Sequence, residues 1–199
     1  MLRYTKMAPR GRPRLYATHA EKIQAYRQRK RAGLVWPPLP PGPYDVLYAA
    51  PDWPRPRPRA ARWRHALPPR LAQLCRLPVL SRATPQAVLW LWVPVRRLAD
   101  SLEVVRAWGF TYHTLLIWDK VHPGVVYLHD AEPELLLYCS RRTGPLPAPV
   151  EARVAQLPRA GTAHPDAFRA EIERRSPSAR RLALFPRAPM PGWESWPCS

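Results

Sequence analysis

The chain has 199 residues, of which 32 are Lys or Arg and 14 are Asp or Glu, so its formal net charge is +18. A domain of about 150 residues buries roughly two-thirds of its unfolded surface, so this length allows a short appendage and one domain with a real core. The charge favours a polyanion, above all nucleic acid, as partner, although a GC-rich coding bias also enriches Arg and Pro.

The cysteines and the apolar runs exclude several classes of protein. Cys75, Cys139 and Cys198 are odd in number and far apart, which argues against a disulfide framework and against a zinc site. No apolar run approaches the length of a membrane span, and no signal-peptide core follows the N-terminus. We therefore expect a soluble, cytoplasmic protein without a metal, and association with a bacterial or phage-type nucleoid is compatible with this.

Residues 1–36 are predicted to form a basic nucleic-acid-binding arm. They contain ten Lys or Arg and the single acid Glu21. Thr18 and Glu21 have the spacing of a capping box, which predicts a short helix from about residue 19 to residue 32. Gly11-Arg12-Pro13-Arg14 resembles the core of an AT-hook, in which an Arg-Pro-Arg segment lies in a narrow minor groove. Arg12 and Arg14 are therefore predicted DNA contacts, and a generic basic tail is the alternative. Residues 37–43, rich in Pro, are predicted to be a stiff linker.

The rest of the chain, residues 44–199, alternates between strand and helix patterns. Short apolar runs predict buried strands at residues 45–49, 87–93, 114–118, 134–139 and 181–185, with a weaker candidate at 150–155. Helical spacing and boundary residues predict helices at residues 95–108 and 165–175. The alternation predicts an α/β fold with a mostly parallel sheet and helices on both faces, which binds ligands beyond the carboxyl ends of its strands.

Three stretches of the sequence, taken together, are specific enough to indicate a resemblance to a known family. They read Tyr-Asp-Val-Leu-Tyr-Ala-Ala-Pro-Asp-Trp at residues 44–53, Leu-Trp-Leu-Trp-Val at 89–93 with a helix ending Ala-Trp-Gly-Phe at 110, and Ile-Trp-Asp-Lys at 117–120. In this order and spacing they resemble the MT-A70 family of S-adenosylmethionine-dependent adenine N6-methyltransferases, and residues 184–196 are similar to its closing segment. The resemblance implies a Rossmann-like methyltransferase fold over residues 44–199, with S-adenosylmethionine as cofactor if the pocket is retained.

The same resemblance indicates that the catalytic motif is degenerate. In the family, Asp-Pro-Pro-Trp supplies an acceptor for the adenine amine and an aromatic face for the base. The matching residues here are Ala50, Pro51, Asp52 and Trp53. Alanine accepts no hydrogen bond, and a shift of two residues moves a carboxylate by about 6 Å along an extended chain. Asp52 and Trp53 are the candidate catalytic residues if the loop is rebuilt; otherwise Asp52 has a surface or capping role.

Other family ligands are also replaced. Where the family has an Arg-Asn-x-His-Glu segment, this chain retains only the final Glu, which is Glu134. His164 lies at the position where the family has a Lys that approaches the cofactor. The Glu of a Glu-Leu-Phe motif is Ala183, while Arg187 is retained, and the terminal Gly-Asn aligns with residues 197–198. The resemblance therefore leaves Arg187, His164 and Cys198 as weak candidates for cofactor binding.

The loop after Trp53 has gained positive charge instead. It alternates Pro and Arg, which favours an extended backbone with outward guanidinium groups suited to phosphates, and Trp63 is placed to stack on an unpaired base. The predicted nucleic-acid contacts of this loop are Arg55, Arg57, Arg59, Arg62, Trp63 and Arg64. A solvated loop without a nucleic-acid role is the alternative.

We interpret the chain as a catalytically impaired MT-A70-like pseudoenzyme that binds nucleic acid, chiefly DNA, as an adaptor or partner subunit. Two alternatives remain: an active DNA or RNA adenine N6-methyltransferase, and a structural subunit that forms a heterodimer with an active methyltransferase.

Overall fold

The computed structural model describes residues 36–53, 69–120, 133–141, 153–156, 164–186 and 190–196. The domain begins at Pro37. Its strands are β1 (Tyr44–Ala49), β2 (Ala83–Pro94), β3 (Thr111–Asp119), β4 (Glu134–Ser140), β5 (Arg153–Gln156), β6 (Arg181–Leu184) and β7 (Glu194–Trp196). Its α-helices are α1 (Pro69–Cys75), α2 (Leu98–Ala107) and α3 (Asp166–Arg175), and 3-10 turns span Val79–Arg82 and Val95–Arg97.

The described strands form one seven-stranded sheet in the order β5-β3-β4-β2-β1-β6-β7. β1 pairs in parallel with β2 and β6, β3 with β5, and β6 with β7, whereas β4 is antiparallel to both of its neighbours. The predicted α/β class and the mostly parallel sheet are confirmed. Because β4 runs the other way, its first residue, Glu134, lies at the edge where β2 and β3 end, opposite Pro94 and Trp118.

Helices cover both faces of the sheet. On one face, Phe168 and Ile172 of α3 pack into a buried cluster with alternate strand residues such as Tyr48 and Trp92. The buried residues of α2, Val104 and Val105, do not belong to that cluster, and α2 contacts β2, β3 and α1. Side chains alternate across a strand, so the central strands also present residues to the opposite face of the sheet. Four fully buried leucines form a second apolar layer there: Leu47, Leu89, Leu91 and Leu137.

Helix α2 is held by its C-terminal residues. Trp108 is fully buried, and its indole Nε1 donates to the carbonyl oxygen of Leu74 at 2.7 Å, which joins α2 to α1. Gly109 follows with a φ of +76°, the left-handed conformation that commonly ends helices. A Cβ atom at Gly109 would lie 2.6 Å from a methyl carbon of Leu80, so alanine there would also require the Leu80 side chain, which is 43% exposed, to shift.

The strands and helices predicted within residues 44–199 are present with shifted ends. The predicted helix at residues 95–108 begins with the 3-10 turn Val95–Arg97 before the α-helix. α1 and β7 were not predicted.

The Pro-rich segment predicted as a linker packs against the rest of the domain. Leu39 is buried, Trp196 donates to the carbonyl oxygen of Pro38 at 3.0 Å, and Tyr44 donates to that of Pro41 at 3.0 Å. The predicted basic arm with its helix, and most of the Arg-rich loop, lie outside the described residues.

Candidate functional site

Polar side chains converge at the carboxyl edge of the parallel strands, the edge at which open α/β sheets bind ligands. Tyr48 lies near the end of β1, Lys120 follows β3, Glu134 begins β4, and His164 precedes α3. Lys120 and Tyr48 are buried, at 5% and 6% exposure, and the side chains of His164 and Glu134 are 6% and 14% exposed. This set of four residues is called the edge cluster below.

The edge cluster is joined by three short contacts. Lys120 donates from Nζ to Oε1 of Glu134 at 2.5 Å. Nε2 of His164 lies 3.0 Å from the other oxygen of Glu134, Oε2, and Nδ1 lies 3.1 Å from the hydroxyl of Tyr48. Both oxygens of the buried carboxylate and both nitrogens of the imidazole therefore have partners.

Glu134 is held in its ionised form. Burial by itself opposes ionisation, but the hydrogen bonds and positive charges of His164 and Lys120 outweigh it and lower the pKa of Glu134 to about 2. An ionised carboxylate only accepts hydrogen bonds, so Nε2 of His164 must be the donor. The hydrogen bond between Nδ1 of His164 and the Tyr48 hydroxyl is donated by Tyr48 when the imidazole is neutral and by Nδ1 when it is protonated.

Aromatic rings enclose the imidazole. His164 stacks on Trp92, with ring centroids 4.1 Å apart and planes 5° from parallel. Trp118 meets His164 edge-on at 6.0 Å, and Phe168 meets Trp92 edge-on at 5.0 Å. Lys120 also lies 5.0 Å from the ring centre of Trp118, within cation-π range. These rings keep water away from the charged groups, which strengthens the interactions among them.

The degenerate motif follows β1 directly. Ala50 is buried at 5% exposure and belongs to the same side of the core as Tyr48 and Trp92. The Asp52 side chain is 65% exposed and pairs with Arg70 at 2.9 Å, so it is not bonded to the edge cluster. Trp53 is 8% exposed, and its Nε1 donates to the carbonyl oxygen of Trp92 at 2.8 Å. Position 50 thus presents a methyl group where the resemblance expects a carboxylate.

The other predicted site residues divide into two groups. His164, a predicted cofactor residue, is part of the edge cluster. Arg187 and Cys198, and all predicted nucleic-acid contacts, lie outside the described residues; these contacts are Arg12, Arg14, Arg55, Arg57, Arg59, Arg62, Trp63 and Arg64. Ala183 is fully buried in β6. Within the described ranges there is no group of three or more His, Cys, Asp or Glu residues that could hold a metal, and no helix long and apolar enough to cross a membrane.

Neither Tyr48 nor Lys120 was predicted to belong to the site. Tyr48 lies inside an apolar run, which predicts a core residue. Only the fold brings it next to His164, which is 116 residues away in sequence. Lys120 carried a usable signal, because a charged residue directly after a buried strand marks the carboxyl edge of a parallel sheet. Trp92 and Trp118 also end buried strands, and they supply the aromatic walls.

Comparison with known proteins indicates a methyltransferase relationship. No protein-family model matches the chain. The chain is 29% identical over 135 residues to the type II methyltransferase M.MunI of a Mycoplasma species, a match that covers 64% of this chain and 56% of that protein. The chain thus spans about half the length of this curated relative. The match supports a methyltransferase homologue, which agrees with the Rossmann-like α/β fold, but it does not establish the MT-A70 family specifically.

Proposed function

We propose that this chain is a methyltransferase homologue that binds nucleic acid, chiefly DNA, and has lost efficient methyl transfer to adenine. The observation that carries the second part is Ala50. A buried methyl group occupies the position of the expected acceptor, and the nearest carboxylate along the chain, Asp52, is turned to solvent and paired with Arg70. Removing one positioned polar group from such a site costs about 10²–10³ in rate.

We further propose that the edge cluster, at His164, opposes the binding of S-adenosylmethionine. The relationship to a methyltransferase implies this cofactor, and His164 occupies the position at which the MT-A70 resemblance places a Lys near it. Both ring nitrogens of His164 are committed to Glu134 and Tyr48, and one face of the ring is covered by Trp92. A cofactor would have to displace a buried charged network that is already satisfied, which opposes binding.

The nucleic-acid part of the proposal is supported by the net charge of +18 and by the basic segments that the sequence identifies. The relative is named a type II methyltransferase, and DNA is the polyanion proposed here by analogy with it. Lys and Arg that neutralise phosphates release counterions, so binding has to weaken steeply with salt. A role as adaptor or partner subunit of an active methyltransferase agrees with this chemistry.

An active adenine N6-methyltransferase is the second candidate, and the match to M.MunI is the observation that favours it. In this case Asp52 and Trp53 would act from a rearranged loop. Incorporation of labelled methyl groups from S-adenosylmethionine into unmethylated genomic DNA separates the two candidates, because such DNA contains every short recognition sequence.

We expect no incorporation above background with the wild-type chain. Incorporation that Asp52→Ala abolishes and Glu103→Ala leaves intact would support the enzyme instead. Glu103 is a matched control because its carboxylate is also exposed and paired with a single Arg, Arg106, at 3.0 Å.

Nucleic-acid binding is tested separately by titrating duplex DNA at 50 to 200 mM salt. Six to ten phosphate contacts predict a loss of affinity of about 10³–10⁵ over this range. An affinity that does not depend on salt would leave the basic segments without a role in binding phosphates and would favour a purely structural subunit.

A further inference from the structure

The amino edge of the sheet, opposite the edge cluster, carries two arginines on neighbouring strands. Arg82 directly precedes β2, and Arg141 directly follows β4, which is antiparallel to β2 and therefore ends near its start. The backbone N–H of Arg141 donates to the carbonyl oxygen of Ala87 at 3.0 Å. Its guanidinium donates from Nη1 to the carbonyl oxygens of Ala83 and Thr84, at 2.6 and 3.1 Å. Arg141 is therefore fixed against the first two residues of β2.

Two buried polar atoms beside this guanidinium have no hydrogen-bond partner in the described part of the chain. They are Nε of Arg82 and Oγ1 of Thr84. The residue between them, Ala83, has extended backbone angles (φ −106°, ψ 137°), which brings the two side chains to the same side of the strand. Since the large majority of buried side-chain polar atoms in proteins are hydrogen-bonded, two neighbouring exceptions indicate a place that a ligand completes.

The backbone of β2 is irregular at this place. Tyr44 pairs with Ala83 and Val46 with Val88, so β2 advances by five residues where β1 advances by two. Bulges of this kind re-aim side chains and are common beside functional sites. The bulge begins at Thr84, next to the guanidinium of Arg141.

The two guanidinium groups lack a compensating carboxylate. Neither Arg82 nor Arg141 forms an ion pair with an acidic residue within the ranges that the structure describes. On the neighbouring strand β1, Asp45 accepts from the backbone N–H of Arg180 at 3.0 Å, so its carboxylate is held on the side of β6. Arginine is always charged, and burying part of a charged group is unfavourable unless an opposite charge compensates it. The charge therefore favours an anion over a neutral ligand.

We propose that Arg82, Thr84 and Arg141 form a binding site for a phosphate group at the amino edge of the sheet. The two guanidinium groups supply charge-assisted donors in the planar geometry that suits phosphate oxygens, and the hydroxyl of Thr84 supplies a further donor. The site lies at the opposite edge from the edge cluster and goes beyond the proposed function. Its phosphate belongs either to a nucleic-acid backbone or to a free phosphate compound.

Inorganic phosphate is the first probe, titrated calorimetrically into the full chain at constant ionic strength. Arg82→Gln removes a charged donor, and we expect it to weaken phosphate binding at least about tenfold. Arg106→Gln lowers the net charge equally, but Arg106 is exposed and paired with Glu103 at 3.0 Å, so the affinity should stay within about twofold of wild type. Equal affinities in the two variants, or no phosphate binding by the wild-type chain, would overturn the proposal.

A second pair of variants decides the question if Arg82→Gln does not fold. Thr84→Val keeps the shape of the side chain without the hydroxyl, and Thr84→Ser keeps the hydroxyl. We expect Thr84→Val to bind phosphate at least about threefold more weakly than Thr84→Ser, which should match the wild-type chain. Equal affinities in the two Thr84 variants would then overturn the proposal.

Duplex DNA, titrated at 50 to 200 mM salt, identifies the source of the phosphate. If the site binds a nucleic-acid backbone, Arg82→Gln reduces the slope of log affinity against log salt by about 0.9, the value for one phosphate contact, and Arg106→Gln does not. Loss of phosphate binding with an unchanged slope would support the site and assign it to a free phosphate compound. The phosphate titration needs neither DNA nor S-adenosylmethionine, so its outcome is independent of whether the proposed function holds.

Discussion

Acid should remove a defined part of the stability of this protein through Glu134. Its pKa is lowered from 4.5 to about 2 by His164 and Lys120, against the opposing effect of burial. A carboxylate with a lowered pKa stabilises the folded state at pH values above its unfolded pKa, and this stabilisation is lost as the pH falls through the folded pKa. Because its side chain is only 14% exposed, the lowering corresponds to about 3 kcal/mol at neutral pH.

The perturbation is Glu134→Gln, which keeps the shape of the side chain and cannot titrate. The free energy of unfolding of both chains is measured with urea at pH 5 and at pH 2.5. Every other carboxylate titrates equally in the two chains, so the difference between them isolates Glu134. We expect the wild-type chain to lose about 2 kcal/mol more than the variant over this interval. Equal losses would refute the conclusion that the edge cluster holds a strongly stabilised carboxylate.

Three further substitutions test other parts of the structure, each by thermal or urea unfolding. Tyr48→Phe removes the hydroxyl that is hydrogen-bonded to Nδ1 of the buried imidazole and should destabilise the fold by about 1–3 kcal/mol; no effect would mean that this bond contributes nothing. Gly109→Ala should cost more than Gly192→Ala, because both glycines have positive φ but only Gly109 would place its Cβ against Leu80, and equal costs would contradict this packing. Asp52→Ala should change stability by less than about 1 kcal/mol, since its ion pair is exposed, and a larger loss would indicate an unrecognised buried role.

The central strands could be predicted because their burial on both faces is reflected directly in their sequences. Strands buried on both faces are nearly continuous apolar runs, and β1, β2 and β4 have this pattern. β7 escaped prediction because three residues, of which two are exposed, carry no periodicity. α1 was missed because it begins at the second of two consecutive prolines and has only seven residues, too few for a helical pattern to stand out.

The candidate site was harder to predict than the fold. The replacement of the motif residue by Ala50 is visible in the sequence once the resemblance is drawn, and so is the unusual His164. Their surroundings are not visible, because the edge cluster joins residues that are far apart in sequence and whose neighbours are apolar. The antiparallel direction of β4, which brings Glu134 to the carboxyl edge, is a property of the sheet and has no local signal.

Under the proposed function, the packing residues match those of the family that the sequence resembles, whereas the polar site residues of that family are replaced. In the edge cluster, buried charges are neutralised by one another, which makes the site a stable part of the fold.

The most direct test of the loss of methyl transfer is calorimetric titration of the wild-type chain with S-adenosylmethionine and with its demethylated product. It requires no knowledge of a DNA recognition sequence, and cofactor binding must precede any transfer. We expect no detectable binding at ligand concentrations up to about a millimolar, which means binding weaker than roughly −4 kcal/mol. Binding in the micromolar range, about −8 kcal/mol, would contradict it and make the active methyltransferase the first candidate.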